Sequence, residues 1–207
     1  MKLLDLSMAR RKDHTHEELR KVALVAARKI VASNGLIGLT AREVAKSIGY
    51  SAGTLYNLFE SFDDLIRHMN GQTLDELYDV MAAEHKERDV EKALNILARR
   101  YIDFSTDQAN LWNALFDVRI LKSDTLPAWY YEKVRRMMAL VAEPLKPLFS
   151  PEESIELLRT VRVLWSGMHG ICTLVEAEAL DEEESSISLA GTLIQNYVAG
   201  LKVRKGM

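Results

Sequence analysis

Cys172 is the single cysteine in 207 residues, so no internal disulfide framework is available and a reducing compartment suits the chain. Only four prolines and ten glycines punctuate it. With β-branched runs also scarce, sheet architectures rich in turns are disfavoured and an all-α fold is expected. Long apolar runs are missing too. The longest, around Val163 to Val175, is too short and too polar to span a bilayer. Met1 to Leu6 looks briefly like a signal start, but Asp5 and then Arg10, Arg11 and Lys12 interrupt any apolar region. The expected location is cytoplasmic. Gly-rich phosphate loops, H-E-x-x-H and G-x-S-x-G are all lacking, so an enzyme is not expected, nor is a cofactor.

Positive charge is not in excess. The formal net charge is −3, which argues against indiscriminate nucleic-acid binding. Its distribution is uneven: residues 1–70 carry 11 Lys and Arg against 8 Asp and Glu, and residues 71–207 carry 16 against 22. A mildly basic front and an acidic back suit a protein with one DNA-facing end.

Helix starts are well marked. Thr15-x-x-Glu18, Thr40-x-x-Glu43 and Ser61-x-x-Asp64 read as capping boxes, and Asn34-Gly35 as a helix stop. Ser150-Pro151-Glu152-Glu153 joins a cap, a first-turn proline and acids, and Asp181 to Glu184 reads as one more start. The pattern predicts nine helices near 16–34, 41–48, 52–58, 62–84, 89–106, 108–121, 127–147, 151–179 and 184–203.

Thr40 to Phe59 carries the clearest chemistry. Helix two packs through Val44, Ala45 and Ile48, Gly49 permits a sharp turn, and Ser51 is a candidate cap for helix three. Leu55 and Phe59 share a face that pins helix three to the core. The remaining face presents Ala52, Gly53, Thr54, Tyr56 and Asn57. Small residues at its start let the backbone approach base edges. Thr54 and Asn57 offer hydrogen bonds, and an asparagine amide pairs bidentately with adenine. The Tyr56 hydroxyl suits a phosphate, as do Thr40 and Arg42 at the start of helix two. This is a helix-turn-helix, and double-stranded DNA is the expected partner.

Gly35 to Leu65 resembles the DNA-binding signature of TetR-family transcriptional repressors, G-x-x-x-x-T-x-x-E-V-A-x-x-x-G-x-S-x-G-T-L-Y-x-x-F-x-S followed by an acid and a leucine. The resemblance covers helices one to three and the start of helix four. It implies an all-helical homodimer. Residues 1–62 would form the DNA-binding domain, and residues 63–207 a ligand-binding and dimerisation domain. Effector binding would change the separation of the recognition helices and release a palindromic operator. One departure stands out: Phe62 occupies the place of the lysine that in the family contacts phosphate. Arg67, or the arm of Arg10, Arg11 and Lys12, is the expected compensation. A disordered tail is the plain alternative for that arm.

In the predicted helices 151–179 and 184–203, apolar residues cover more than one face. Leu157, Val161, Leu164, Met168, Ile171 and Val175 form one stripe of the former, and Ile187, Ala190, Ile194, Tyr197 and Leu201 one of the latter. Burial on two sides suits a four-helix bundle across a two-fold axis. Trp165-Ser-Gly-Met-His169-Gly170 also resembles the W-x-x-x-H-G signature of one C-terminal subclass in the same family.

An effector pocket needs an apolar wall with a few polar anchors. The candidates are Tyr101, Phe104, Trp112, Phe116, Trp129, Tyr130, Met137, Met138, Trp165, Met168, His169 and Cys172, with His169 as the polar anchor. Each is also a plausible plain core residue. The expected effector is a small apolar or aromatic molecule of unknown identity. His169, Cys172 and Glu176 share a helical face, but an apolar setting and the lack of nearby ligands argue against a metal or a nucleophile. An interaction module with a vestigial helix-turn-helix is the alternative function.

Overall fold

The computed structural model describes residues 15–83, 87–117, 126–180 and 184–206. Among them are nine α-helices and no strand. They are α1 (His16–Asn34), α2 (Ala41–Ile48), α3 (Ala52–Leu58), α4 (Phe62–Ala82), α5 (Val90–Asp107), α6 (Ala109–Leu115), α7 (Ala128–Leu145), α8 (Ser154–Glu176) and α9 (Ser186–Arg204).

Local capping sets most of the starts. Thr15 and Glu18 form a reciprocal box, the Glu18 N–H donating to Thr15 Oγ1 at 3.2 Å and the Thr15 N–H to Glu18 Oε2 at 2.8 Å. Thr40 and Ser61 accept from the N–H of Glu43 and Asp64. Asp64 differs from the expected box, because its carboxylate takes the N–H of Glu60 rather than that of Ser61. Gly35 ends α1 at φ 66°, ψ 179°, and Gly49 ends α2 in the left-handed region at φ 79°. Both conformations favour a residue without a Cβ.

Four ends depart from expectation. Ser150-Pro151-Glu152-Glu153 forms a separate 3-10 turn (Pro151–Glu153) before α8. Helix α7 gives way to the 3-10 turn Lys146–Leu148, where Pro147 has no N–H with which to continue the helical ladder. Helix α6 stops at Leu115, well short of 121. Helix α9 begins at Ser186 under Ser185, which accepts from the Ser188 N–H at 3.1 Å. The expected start at Asp181 lies outside the described residues.

Two hydrophobic cores meet on α4. Leu65, Ile66 and Met69 join α1–α3, while Leu74, Leu77 and Met81 join α5–α9. Leu111 and Ala114 of α6 sit in the first core, and Trp112 and Leu115 in the second. Both cores therefore draw on α4 and α6. Asn70, fully buried between the cores, donates from Nδ2 to the Ala114 carbonyl at 2.7 Å.

Candidate nucleic-acid interface and ligand cavity

Helix α3 is one turn of apolar anchor and one exposed face. Leu55, Leu58 and Phe59 are buried. Gly53, Tyr56 and Asn57 are exposed, Ala52 and Thr54 half-buried, and Thr40 and Arg42 exposed beside them at the start of α2. Ser51 holds the cap position, but its hydroxyl contacts Thr54 Oγ1 at 3.1 Å instead of a helix N–H. Arg10, Arg11 and Lys12 lie outside the described residues, as does His14.

The sequence reading missed what holds α3. His16 opens α1 and donates from Nε2 to the Asn57 carbonyl at 2.9 Å. Arg20, one turn on, donates from Nη1 to the Leu58 carbonyl at 2.7 Å and lies over the Phe59 ring at 4.5 Å. These two side chains satisfy carbonyls at the C-terminal end of a seven-residue helix, where the Arg20 charge also complements the helix dipole. No local sequence signal marks them, because their partners lie 41 and 38 residues away.

A cavity of about 960 Å³ lies between α4, α5, α6, α7 and α8. That is near the upper end for small-molecule sites. Of the candidate residues, Tyr101, Phe116, Tyr130, Met137, Met138 and Trp165 line it. Burial pushes the Tyr101 hydroxyl well above its ordinary range and the Tyr130 hydroxyl up to about 12, so both stay protonated.

The other candidates stand elsewhere. His169 sits behind the wall: Trp165 stacks on it at 5.5 Å and 13°, Phe116 at 4.1 Å and Trp112 at 4.9 Å close round it, and Tyr101 Oη is 3.5 Å from Nδ1. Burial lowers its pKa. Trp112 and Phe104 are core side chains. Met168 lines only a small adjoining void, and burial raises the Cys172 thiol pKa away from thiolate chemistry. Trp129 faces α4, where its ring stacks on His68 at 4.7 Å.

The cavity also has walls that the reading did not name: Leu74, Leu77 and Met81 from α4, and a polar rim of Tyr131, Glu132 and Arg135 on α7 with Arg162 and Ser166 on α8. Leu158, Arg162 and Ser166 recur every fourth residue, a stripe visible in the sequence. Among the described residues no group of three or more His, Cys, Asp or Glu could hold a metal ion, and no helix is long and apolar enough to cross a membrane.

Residues 23–69 match the bacterial regulatory proteins of the tetR family, and residues 94–195 match tetracyclin repressor-like C-terminal domains. The uncharacterized HTH-type transcriptional regulator YobS of Bacillus subtilis (strain 168) is 24% identical over 185 residues, covering 89% of this chain and 93% of its own. Among solved structures, a protein of unknown function from Rhodococcus sp. RHA1 superposes with TM-score 0.71 at 18% identity, covering 92% of this chain and 98% of that one. A tetR-family transcriptional regulator from Streptomyces coelicolor superposes with TM-score 0.65 at 17% identity, covering 91% and 82%. At such identities the likeness shows the fold.

Proposed function

Because the chain belongs to the TetR family and is a DNA-binding transcriptional regulator, we propose that it works as a homodimeric repressor that a small effector releases from a palindromic operator. The observation that carries the effector reading is the cavity of about 960 Å³, walled by the same helix, α4, whose first turns pack under the DNA-reading helices. A molecule filling it presses on Leu74, Leu77 and Met81, and α4 carries any displacement toward Leu65, Ile66 and Met69.

Ala52, Gly53, Thr54, Tyr56 and Asn57 meet the major groove, and Thr40 and Arg42 the phosphates. The effector is apolar or aromatic in its body. Dimerisation uses α8 and α9, on which Val163, Leu174 and Ile187 remain exposed as large apolar side chains in the single chain. Exposed apolar groups of that size on adjacent helices suit a partner surface. A regulator of this kind works in the cytoplasm.

The test is selection of bound fragments from random duplex DNA, followed by titration of the selected site. The expected result is a two-fold symmetric site bound by two subunits, with log affinity falling against log salt by about 0.9 per phosphate neutralised. Salt-tolerant behaviour indifferent to DNA would instead mark an interaction module with an idle helix-turn-helix.

A further inference from the structure

We infer that the effector is an amphiphile, an apolar body with a single anionic head, and that Arg162 holds the head at the cavity mouth. This rests on the reading of the cavity as the effector site.

The wall is almost wholly apolar, so its few charges decide what head group is tolerated. Among the described residues three charged side chains line it: Glu132, Arg135 and Arg162. Glu132 and Arg135, one turn apart on α7, are paired with each other. Arg162 has no carboxylate within ion-pair distance among the described residues. Among the described residues the cavity therefore carries one cation without a carboxylate partner, and that cation is a planar guanidinium suited to two-point recognition of a carboxylate or phosphate.

Position fixes the orientation. Arg162 is exposed, while Val161 beside it and Met137 across the cavity are buried. Its head can thus stay at the water boundary while an apolar body enters between the aromatic walls of Tyr101, Phe116 and Trp165. Ser166, one turn further along α8, adds a hydroxyl donor to the same mouth. A cationic head would meet Arg162 with like charge. A neutral one would forgo the charge-assisted bond.

The experiment uses the full chain and N-phenyl-1-naphthylamine, an uncharged dye that fluoresces in apolar sites, displaced by dodecanoate or by dodecanol below micelle-forming concentrations. The expected result is displacement by dodecanoate at about tenfold lower concentration than by dodecanol. Arg162→Met should bring the two together by weakening dodecanoate alone, and Arg162→Lys should keep most of the difference. Arg162 is on the surface, so neither variant endangers folding, and melting temperature checks this. Equal displacement in the wild type, or a difference that survives Arg162→Met, would overturn the anion preference and leave the cavity reading intact. Failure of the dye to bind, in a preparation that binds DNA, would overturn both.

Discussion

The Trp129 indole lies flat on the His68 imidazole, ring centroids 4.7 Å apart and planes 17° from parallel. The two belong to different layers. Trp129 sits on α7 between Ala128 and Tyr130, which both line the cavity. His68 sits on α4, its Nε2 3.5 Å from Asp64 Oδ1. Asp64 Oδ2 is 4.0 Å from Arg20, whose other nitrogen holds the Leu58 carbonyl at the end of α3. A continuous set of contacts thus runs from the cavity wall to α3, the helix proposed to meet DNA. Lys133 and Arg136 reinforce the α7–α4 junction through Asp75, at 2.5 and 2.9 Å.

Contiguity alone is not coupling; a double-mutant cycle is the test. Trp129→Ala and His68→Ala should each reduce the effector-induced loss of operator affinity by about 0.5–2 kcal/mol. Affinity for operator without effector should change less. The double variant should lose little more than either single one. Strictly additive losses would remove the stack from the route.

Gly71 sets how closely α7 approaches α4 at that junction. A Cβ there would lie 2.8 Å from the Trp129 ring, inside contact distance. Two effects compete in Gly71→Ala. Helix propensity gains about 1 kcal/mol, and overpacking against a ring already stacked on His68 costs about 1–3 kcal/mol. Yielding would disturb the stack on His68, so net destabilisation is expected in urea unfolding. Gly53→Ala is the contrast. Its Cβ would meet only Ser51 Oγ, at 3.6 Å, so stability should rise by up to about 1 kcal/mol. Operator binding should weaken, because the methyl group would stand on the exposed face proposed to meet DNA.

How legible this was in the sequence depended on range. Caps at Thr15, Thr40 and Ser61 act within three residues and could be read directly. The exposed face of α3 followed from Leu55 and Phe59 sharing the opposite face, and both are buried. The holds on α3 by His16 and Arg20 bridge 41 and 38 residues, and no local pattern announces them. The cavity was harder still. Whether an aromatic side chain lines a void or fills a core depends on where helices leave a gap, a tertiary outcome. Trp165 and His169 are one turn apart on α8, yet the first is in the wall and the second one ring behind it.

Acid should weaken the fold through two histidines. The pKa of His68 is lowered from 6.5 by burial first and by the Arg20 charge next, against the opposing pull of Asp64. That of His169 is lowered by burial among neutral rings. The unfolded chain therefore takes up these protons at a higher pH than the folded one. The stability they confer is complete above about pH 6.5 and declines as pH falls through the folded-state values. Urea midpoints measured from pH 7.5 to 5.5 should drop in the wild type. His169→Gln should flatten that slope, and an unchanged slope would show that the caged ring does not drive it.

Arg20→Leu should separate positioning from contact. It keeps an apolar stem against Phe59 but leaves the Leu58 carbonyl without its donor. The cost should be about 1–3 kcal/mol in unfolding, since the lost bond is charge-assisted. Operator affinity should fall at every sequence alike, because the whole of α3 loosens. A change of preferred sequence would mean that Arg20 itself reads the duplex.

Tyr56 and Asn57 are exposed neighbours on α3 for which different roles are proposed. If the Tyr56 hydroxyl grips a phosphate, Tyr56→Phe loses a neutral hydrogen bond worth about 0.5–1.5 kcal/mol. No counterion release depends on an uncharged group, so the salt slope should not move. Arg42→Ala should lower that slope by about 0.9 if its guanidinium neutralises one phosphate. Asn57→Ala should act at a single base position, relaxing discrimination there by about 1–3 kcal/mol. Its backbone carbonyl stays bonded to His16 after substitution, so the helix keeps its seat and the effect isolates the amide. Binding profiles across all single-base variants of the selected site distinguish these outcomes. A uniform loss in Asn57→Ala would demote that amide to the backbone, and a base-specific loss in Tyr56→Phe would promote the hydroxyl to a reader.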